Sequence, residues 1–336
     1  MKIFVTRQIP GDHLKKLGEG GHEVTISEFD RPLTPEELLE RAKGVDGLLS
    51  LLSDKIDGEV VDAIGPQLKV VSNYAVGFDN INIDELSDRG IVVTNTPSDE
   101  VNEAVAEHTW ALILGLIRRI VEADEATRRG AYKGWEPDIF LGTSLKGKTL
   151  GIVGLGRIGK MVARRAKGYG MSVIYTKRTK DPESEKELGI EFNSLEELLK
   201  KSDVVTLHTP LTEETRHLIS NAWPYGQKAD TLAQMKKGSF LVNTSRGPVV
   251  REHDLVEALK SGHIKGAALD VFESEPNIDP ELFGMPNVIT TPHIASATTE
   301  ARDEMGKLAV SGLLDVFSDK IPSNIVKKDV WQKRRK

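Results

Sequence analysis

Short apolar runs alternate with stretches of helical period along most of this 336-residue chain. In the first hundred residues the runs fall at 3–6, 23–26, 47–51, 69–72 and 91–94, each followed by a segment long enough for a helix. That rhythm predicts a small parallel α/β domain. One helix start is sharply marked, because Thr34 can cap, Pro35 suits the first helical position and Glu37 completes a capping box. A long helical pattern over 102–120, on the order of 30 Å at 1.5 Å per residue, then reads as a crossing into a second domain. From 149 a second α/β series begins, with strands expected at 149–153, 172–175, 204–208, 240–243, 267–270 and 288–291. A last helical pattern at 300–317 leaves more chain than the second sheet needs, so a return to the first domain is expected. The segment from Trp223 to Asp230, with Trp223 and Tyr225, breaks the rhythm and reads as an exposed insertion.

Candidate chemistry starts where the 149–153 run ends. Gly154, Gly156 and Gly159 have the GxGxxG spacing and lead through Arg157 and Ile158 into a helical pattern. In that strand–turn–helix context the first glycine permits the tight turn, the second lets backbone approach a pyrophosphate, and the third lets helix and strand pack closely. A dinucleotide is expected there. About twenty residues on, NAD-type sites place a carboxylate on the ribose 2′-hydroxyl. Here the second strand runs instead into Thr176, Lys177, Arg178 and Thr179, which suit a 2′-phosphate. NADP(H) is therefore favoured, with NAD(H) possible; the plainer alternative is a solvated basic turn. Three polar residues also fall at or just past the ends of later strands: Arg246, Glu275 and His293. A guanidinium to hold an oxoacid, an imidazole to protonate an alkoxide and a carboxylate to orient that imidazole would make a workable reductase.

Composition narrows the setting. A formal net charge of −6 gives no reason to expect nucleic acid, and the basic end Lys333, Arg334, Arg335, Lys336 is expected to be a frayed, solvated tail. The absence of cysteine excludes disulfides, thiolate metal sites and cysteine nucleophiles, and no metal is expected. The chain begins directly on a strand pattern and its apolar helices are too short to span a bilayer, so no membrane is expected and a cytoplasmic location is the default.

Four blocks together resemble the D-isomer-specific 2-hydroxyacid dehydrogenase family: Val153 to Gly159, Val242 to Gly247, Ala268 to Pro276, and Thr291 to Ser296. The resemblance implies two doubly wound, Rossmann-like domains with the active site in the cleft between them, residues 1–98 and 295–336 binding substrate and 99–294 binding cofactor. It implies a homodimer packed through the cofactor domains. It carries over Arg246, Glu275 and His293 as catalytic, with Arg246, His293 and Ser296 also touching substrate. The loop around Ala75, Val76 and Gly77 would receive the substrate carboxylate on backbone N–H groups, and Leu51 and Leu52 would wall the substrate's side chain. His208, Thr209, Pro210, Thr215, Thr244, Ser245, Asp270, His293 and Ala295 would line the cofactor. Within the family, the segments 73–77, 94–97, 134–137 and 140–142 look most like glyoxylate/hydroxypyruvate reductases, including the archaeal type. D-lactate dehydrogenase is a nearby alternative. Phosphite dehydrogenases use a lysine where Val76 stands. From a different class, the fold also serves nucleotide-sensing corepressors, which carry long extensions beyond their last helix.

Overall fold

The computed structural model describes residues 1–221 and 230–335, so most of the 223–230 insertion lies outside the described residues; Asp230 itself caps the short Thr231–Gln234 helix. The chain divides into two compact units, Met1–Val101 with Ala297–Lys336, and Asn102–Ser296.

The first unit is built on β1 (Lys2–Val5), β2 (Glu23–Ile26), β3 (Gly47–Leu51), β4 (Val70–Tyr74) and β5 (Val92–Thr94). All pairs are parallel and the order is β2-β1-β3-β4-β5, a doubly wound arrangement of the flavodoxin type. Central strands of such a sheet are covered on both faces, which is why β4 is buried at every position. Phe4, Leu48 and Val71 pack with Leu38, Val61, Ile64 and Leu86 from the intervening helices. The Thr34 capping box forms as the sequence predicts, Thr34 Oγ1 accepting the Glu37 N–H at 3.2 Å and Glu37 Oε2 accepting the Thr34 N–H at 2.8 Å. The helix Thr299–Phe317, contributed by the far end of the chain, packs against β3, β4 and β5, and Ser72 Oγ donates to its Ala309 carbonyl at 2.8 Å.

Within the basic stretch near the C-terminus, Arg335 is docked, contrary to the solvated tail expected from its charge, while Lys333 is exposed. Arg335 Nη1 donates to the carbonyls of Gly65, Pro66 and Leu68, each at 3.2 Å, and Nε to that of Arg89 at 2.9 Å. A forked guanidinium can satisfy several carbonyls left over at a helix end, a use that net charge does not reveal. Arg335→Ala should therefore lower the unfolding free energy of this protein by about 1.5–3 kcal/mol, the range for hydrogen bonds to a charged donor. Urea denaturation checks this, and an unchanged midpoint refutes it.

The second unit contains β6 (Thr149–Val153), β7 (Ser172–Thr176), β8 (Glu191–Phe192), β9 (Val204–Leu207), β10 (Ser239–Asn243), β11 (Ile264–Leu269) and β12 (Val288–Thr290). The order β12-β11-β10-β9-β6-β7-β8, again parallel throughout, is the Rossmann order extended by one strand. Winding proceeds one way from β6 to β8 and the other way from β9 to β12. The carboxyl ends of β6 and β9 thus flank the switch point at which such sheets bind ligands. The long helical pattern expected over 102–120 is in fact two helices, Asp99–Ile117 and Ile120–Arg128, with Arg119 left-handed at φ 54°. The break is satisfied by tertiary structure, since the Ile117 carbonyl accepts the Thr143 N–H at 3.0 Å instead of continuing the helix. Among the described residues no helix is long and apolar enough to cross a membrane.

Candidate active site

The three glycines after β6 meet three different constraints. Gly154 sits at φ +98°, and a Cβ there would lie 2.6 Å from the His208 carbonyl oxygen at the end of β9. Gly159, on the first turn of the Arg157–Ala166 helix, lies so close to the strand that a Cβ would come within 2.4 Å of the Gly154 oxygen. Gly156 differs, for a Cβ there would meet no described atom within 4 Å. It is the N-cap of that helix and offers no side chain to its first N–H groups. The outcome is an open cradle facing uncapped amides, with Arg157 exposed and Ile158 half-buried beside it. Such a helix end attracts anions.

Around the cradle, Gly154 N–H donates to the Thr176 carbonyl at 2.9 Å and His208 N–H to that of Val153 at 2.8 Å, which binds the two neighbouring strand ends to the glycine turn. Burial pushes the His208 imidazole down to about 3, so it is neutral and pairs with Thr206 Oγ1 at 3.0 Å. His208 therefore brings no charge to a phosphate. Thr209 Oγ1 is buried without a partner among the described residues, Pro210 is exposed, and Thr215 Oγ1 closes the following turn by donating to the Pro210 carbonyl at 2.7 Å. Beyond β7, Thr176 and Lys177 are half-buried whereas Arg178 and Thr179 are exposed.

Arg246, Glu275 and His293 are brought together. Thr244 and Ser245 continue β10: Thr244 Oγ1 contacts Thr109 Oγ1 at 2.9 Å, and Ser245 is held by Asn243 Oδ1 through both its N–H, at 3.0 Å, and its hydroxyl, at 2.8 Å. Arg246 follows, half-buried, with its carbonyl accepting from Asn243 Nδ2 at 2.9 Å. Glu275 Oε2 lies 2.9 Å from His293 Nδ1, while Oε1 accepts the Phe272 N–H at 2.9 Å. Burial alone would raise the Glu275 carboxyl, but the His293 hydrogen bond and charge, the Phe272 N–H and the Arg246 charge outweigh it and hold the group below its ordinary range. It is an anion at neutral pH.

His293 itself is left-handed at φ 55°. Asp270 organises the loop that holds it there. This fully buried carboxylate accepts the Thr291 hydroxyl at 2.6 Å, the Ile294 N–H at 2.9 Å and the Ala295 N–H at 2.8 Å, and its carbonyl accepts the His293 N–H at 2.8 Å. His108 Nε2 approaches the same carboxylate at 3.4 Å. Sequence reading did not anticipate His108, which lay inside an apolar helix pattern with nothing to announce its partner. Ser296, half-buried, ends the second unit.

In the first unit the loop after β4 is pinned by its carbonyls. Thr96 N–H bonds to Ala75 O at 2.9 Å, Asn95 Nδ2 to Val76 O at 2.7 Å, and Asn73 Nδ2 to Gly77 O at 3.0 Å. Among the described residues the N–H groups of Val76 and Gly77 donate to no protein acceptor. Two successive amides left without an acceptor in a pinned loop are available to a carboxylate. Leu51 and Leu52, both half-buried, precede Asp54, which accepts the Leu51 N–H at 2.8 Å, and Asn80 Nδ2 donates to the Leu51 carbonyl at 3.2 Å. Asn73, Asn80 and Asn95 lie in segments the sequence singles out without a role for them, and Asp54 is a positioning residue that sequence reading missed. Their only signal was polarity at strand ends.

Comparison with known proteins agrees with this chemistry. Residues 110–295 match the family model described as D-isomer specific 2-hydroxyacid dehydrogenase, NAD binding domain. The chain is 48% identical over 333 residues to a glyoxylate reductase of Thermococcus litoralis, covering 98% of this chain and 97% of that protein. Among solved structures, it is similar to the TT0316 protein of Thermus thermophilus, with a TM-score of 0.88 and 44% identity over 97% of this chain and all of the other. It also resembles an NADPH-dependent glyoxylate/hydroxypyruvate reductase of Sinorhizobium meliloti solved with NADP and malonate, with a TM-score of 0.84 and 33% identity over 100% of this chain and 98% of that one.

Proposed function

Because the chain belongs to the D-isomer-specific 2-hydroxyacid dehydrogenase family, and is thus an NAD(P)-dependent dehydrogenase of 2-hydroxyacids, we propose that it reduces glyoxylate to glycolate and hydroxypyruvate to D-glycerate, with NADPH preferred over NADH. The observation that carries the reading is the Glu275–His293 pair beside Arg246, a charged orienter, a proton donor and a cation in one place. The relative named glyoxylate reductase spans nearly the whole chain, and the neighbour from Sinorhizobium meliloti is NADPH-dependent, which supports both halves of the proposal.

The open Gly156 cradle and the uncapped helix start fit a dinucleotide pyrophosphate, and Lys177 and Arg178 would hold the 2′-phosphate. When bound, the reduced nicotinamide supplies the hydride that adds to the substrate's carbonyl carbon. In the second unit Arg246 would bind and polarise the oxoacid; in the first, the N–H groups of Val76 and Gly77 would take a carboxylate and Leu52 would limit side-chain size. His293 gives its proton to the carbonyl oxygen as negative charge develops there, completing the hydroxyl. Glu275 holds the imidazole in orientation through the contact at its Nδ1.

Steady-state rates on glyoxylate, hydroxypyruvate and pyruvate with each cofactor test the proposal. Higher kcat/KM for the first two with NADPH is expected; a preference for pyruvate or NADH refutes the corresponding half. A homodimer is the accompanying reading, supported by apolar side chains left exposed on the Ile120–Arg128 helix and in the segment before β6, with Trp135 84%, Leu141 64% and Ile120 54% exposed. Light scattering at the mass of one chain refutes it.

Glu275→Gln should lower kcat for glyoxylate more than it raises KM, because the amide keeps the side chain's bulk but removes the charge that faces His293 Nδ1 at 2.9 Å. An unchanged kcat, measured where chemistry limits the rate, would mean that Glu275 only braces its loop.

A further inference from the structure

The basic turn after β7 carries a carboxylate that has no role in the chemistry above. Asp181 Oδ2 lies 2.9 Å from Lys160 Nζ, on the first turns of the helix that follows the glycine cradle, and 3.5 Å from Lys177 Nζ. Its Oδ1 accepts the Ser184 N–H at 3.1 Å and caps the Pro182–Leu188 helix, while its own N–H donates to the Tyr175 hydroxyl at 2.8 Å. Lys160, with help from Ser184, holds this carboxyl well below its usual range. Arg178, three residues earlier in the chain, is exposed, and its charge is felt by Glu214.

The two lysine contacts are unequal, and that inequality is informative. At 2.9 Å Lys160 makes a full charge-assisted hydrogen bond, whereas at 3.5 Å Lys177 sits at the edge of one. Lys177 can leave for a stronger anion without breaking the cap, the Tyr175 contact or the Lys160 pair. We propose that Asp181 is the internal counter-ion of the 2′-phosphate site, orienting Lys177 in the free protein and competing with the phosphate for it, so that this one carboxylate limits discrimination between NADPH and NADH. The inference rests on the NADPH reading of the same turn. Its sign is the reverse of what a positioning carboxylate alone would give: removing Asp181 should improve recognition of the phosphate. A phosphate close enough to take Lys177 lies within one Debye length, about 8 Å, of the Asp181 charge and feels its repulsion.

The test uses the ligand-free protein, with adenosine 2′,5′-bisphosphate and 5′-AMP as probes in calorimetric titrations. Asp181→Asn and Asp181→Ser both keep a side chain able to cap the helix, so the charge is lost with the cap retained. The affinity ratio of the bisphosphate to 5′-AMP should rise in both variants by roughly three- to tenfold, and the gain should shrink as salt is raised from about 0.05 to about 0.5 M. A ratio that stays put or falls in both overturns the competition, a fall meaning that orientation of Lys177 outweighs repulsion. The parent protein reports on the cofactor reading separately. Equal binding of the two probes by the parent refutes the NADPH preference, and a ratio that still rises on substitution keeps Asp181 as the counter-ion.

Discussion

His293→Ala should lower kcat for glyoxylate reduction by on the order of 10²–10⁴-fold, the range of general acid–base assistance, while leaving the Kd of NADPH within a few-fold of the parent. The expectation follows from where the ring is held. Its Nδ1 faces Glu275 at 2.9 Å, so Nε2 is the nitrogen left to meet a substrate oxygen, and the left-handed backbone is fixed by Asp270, which accepts the N–H groups of His293, Ile294 and Ala295. Those bonds survive truncation of the side chain. The loop should keep its path, and the loss should appear in the chemical step and not in folding. Single-turnover rates with saturating NADPH, beside a thermal scan, separate the two. A variant with near-parental kcat would remove His293 from the mechanism.

How much of this was legible in the sequence depends on how local each cause is. The alternation of apolar runs and helical segments placed the strands because each strand's burial is written in its own residues. The strand it did not anticipate, β8, is two residues long and half exposed, too short to carry a pattern. The glycines after β6 were readable because each meets a backbone constraint within its own turn or at the adjacent strand end. Long-range partnerships left no such mark. Arg335 meets carbonyls some 270 residues earlier, and its charge alone suggested solvent. Asp181 stood outside the strand-end position where an NAD-type carboxylate is expected, and its pairing with Lys160 depends on how the helix after the cradle lies against the turn after β7. His108 and Asp270 likewise meet only once the sheet is assembled. The apolar period over 102–120 persists past Ile117, which predicts one continuous helix. The break comes from a loop that returns to take a carbonyl.

Gly247→Ala should be among the most damaging single-methyl changes in the chain, costing about 3 kcal/mol or more of stability and lowering kcat/KM by roughly 10²-fold in whatever protein still folds. Gly247 follows Arg246 directly and opens the short helical turn Gly247–Val249. A Cβ there would lie 1.7 Å from the Phe272 carbonyl oxygen and 2.6 Å from the Glu273 nitrogen. These are backbone atoms, so no side-chain rotation relieves the contact; one of the two segments has to move. The segments concerned carry Arg246 on one side and Glu275 on the other, the latter tied to Phe272 by the 2.9 Å bond between the Phe272 N–H and Oε1. Displacement of about 1 Å would therefore weaken the influence of Arg246 on Glu275 and loosen the Glu275–His293 pair together. That coupling distinguishes the variant from an ordinary packing lesion, in which activity per folded molecule is retained. Specific activity per folded molecule, combined with urea denaturation, measures both quantities. Full specific activity in the folded fraction would show that the close approach serves stability alone.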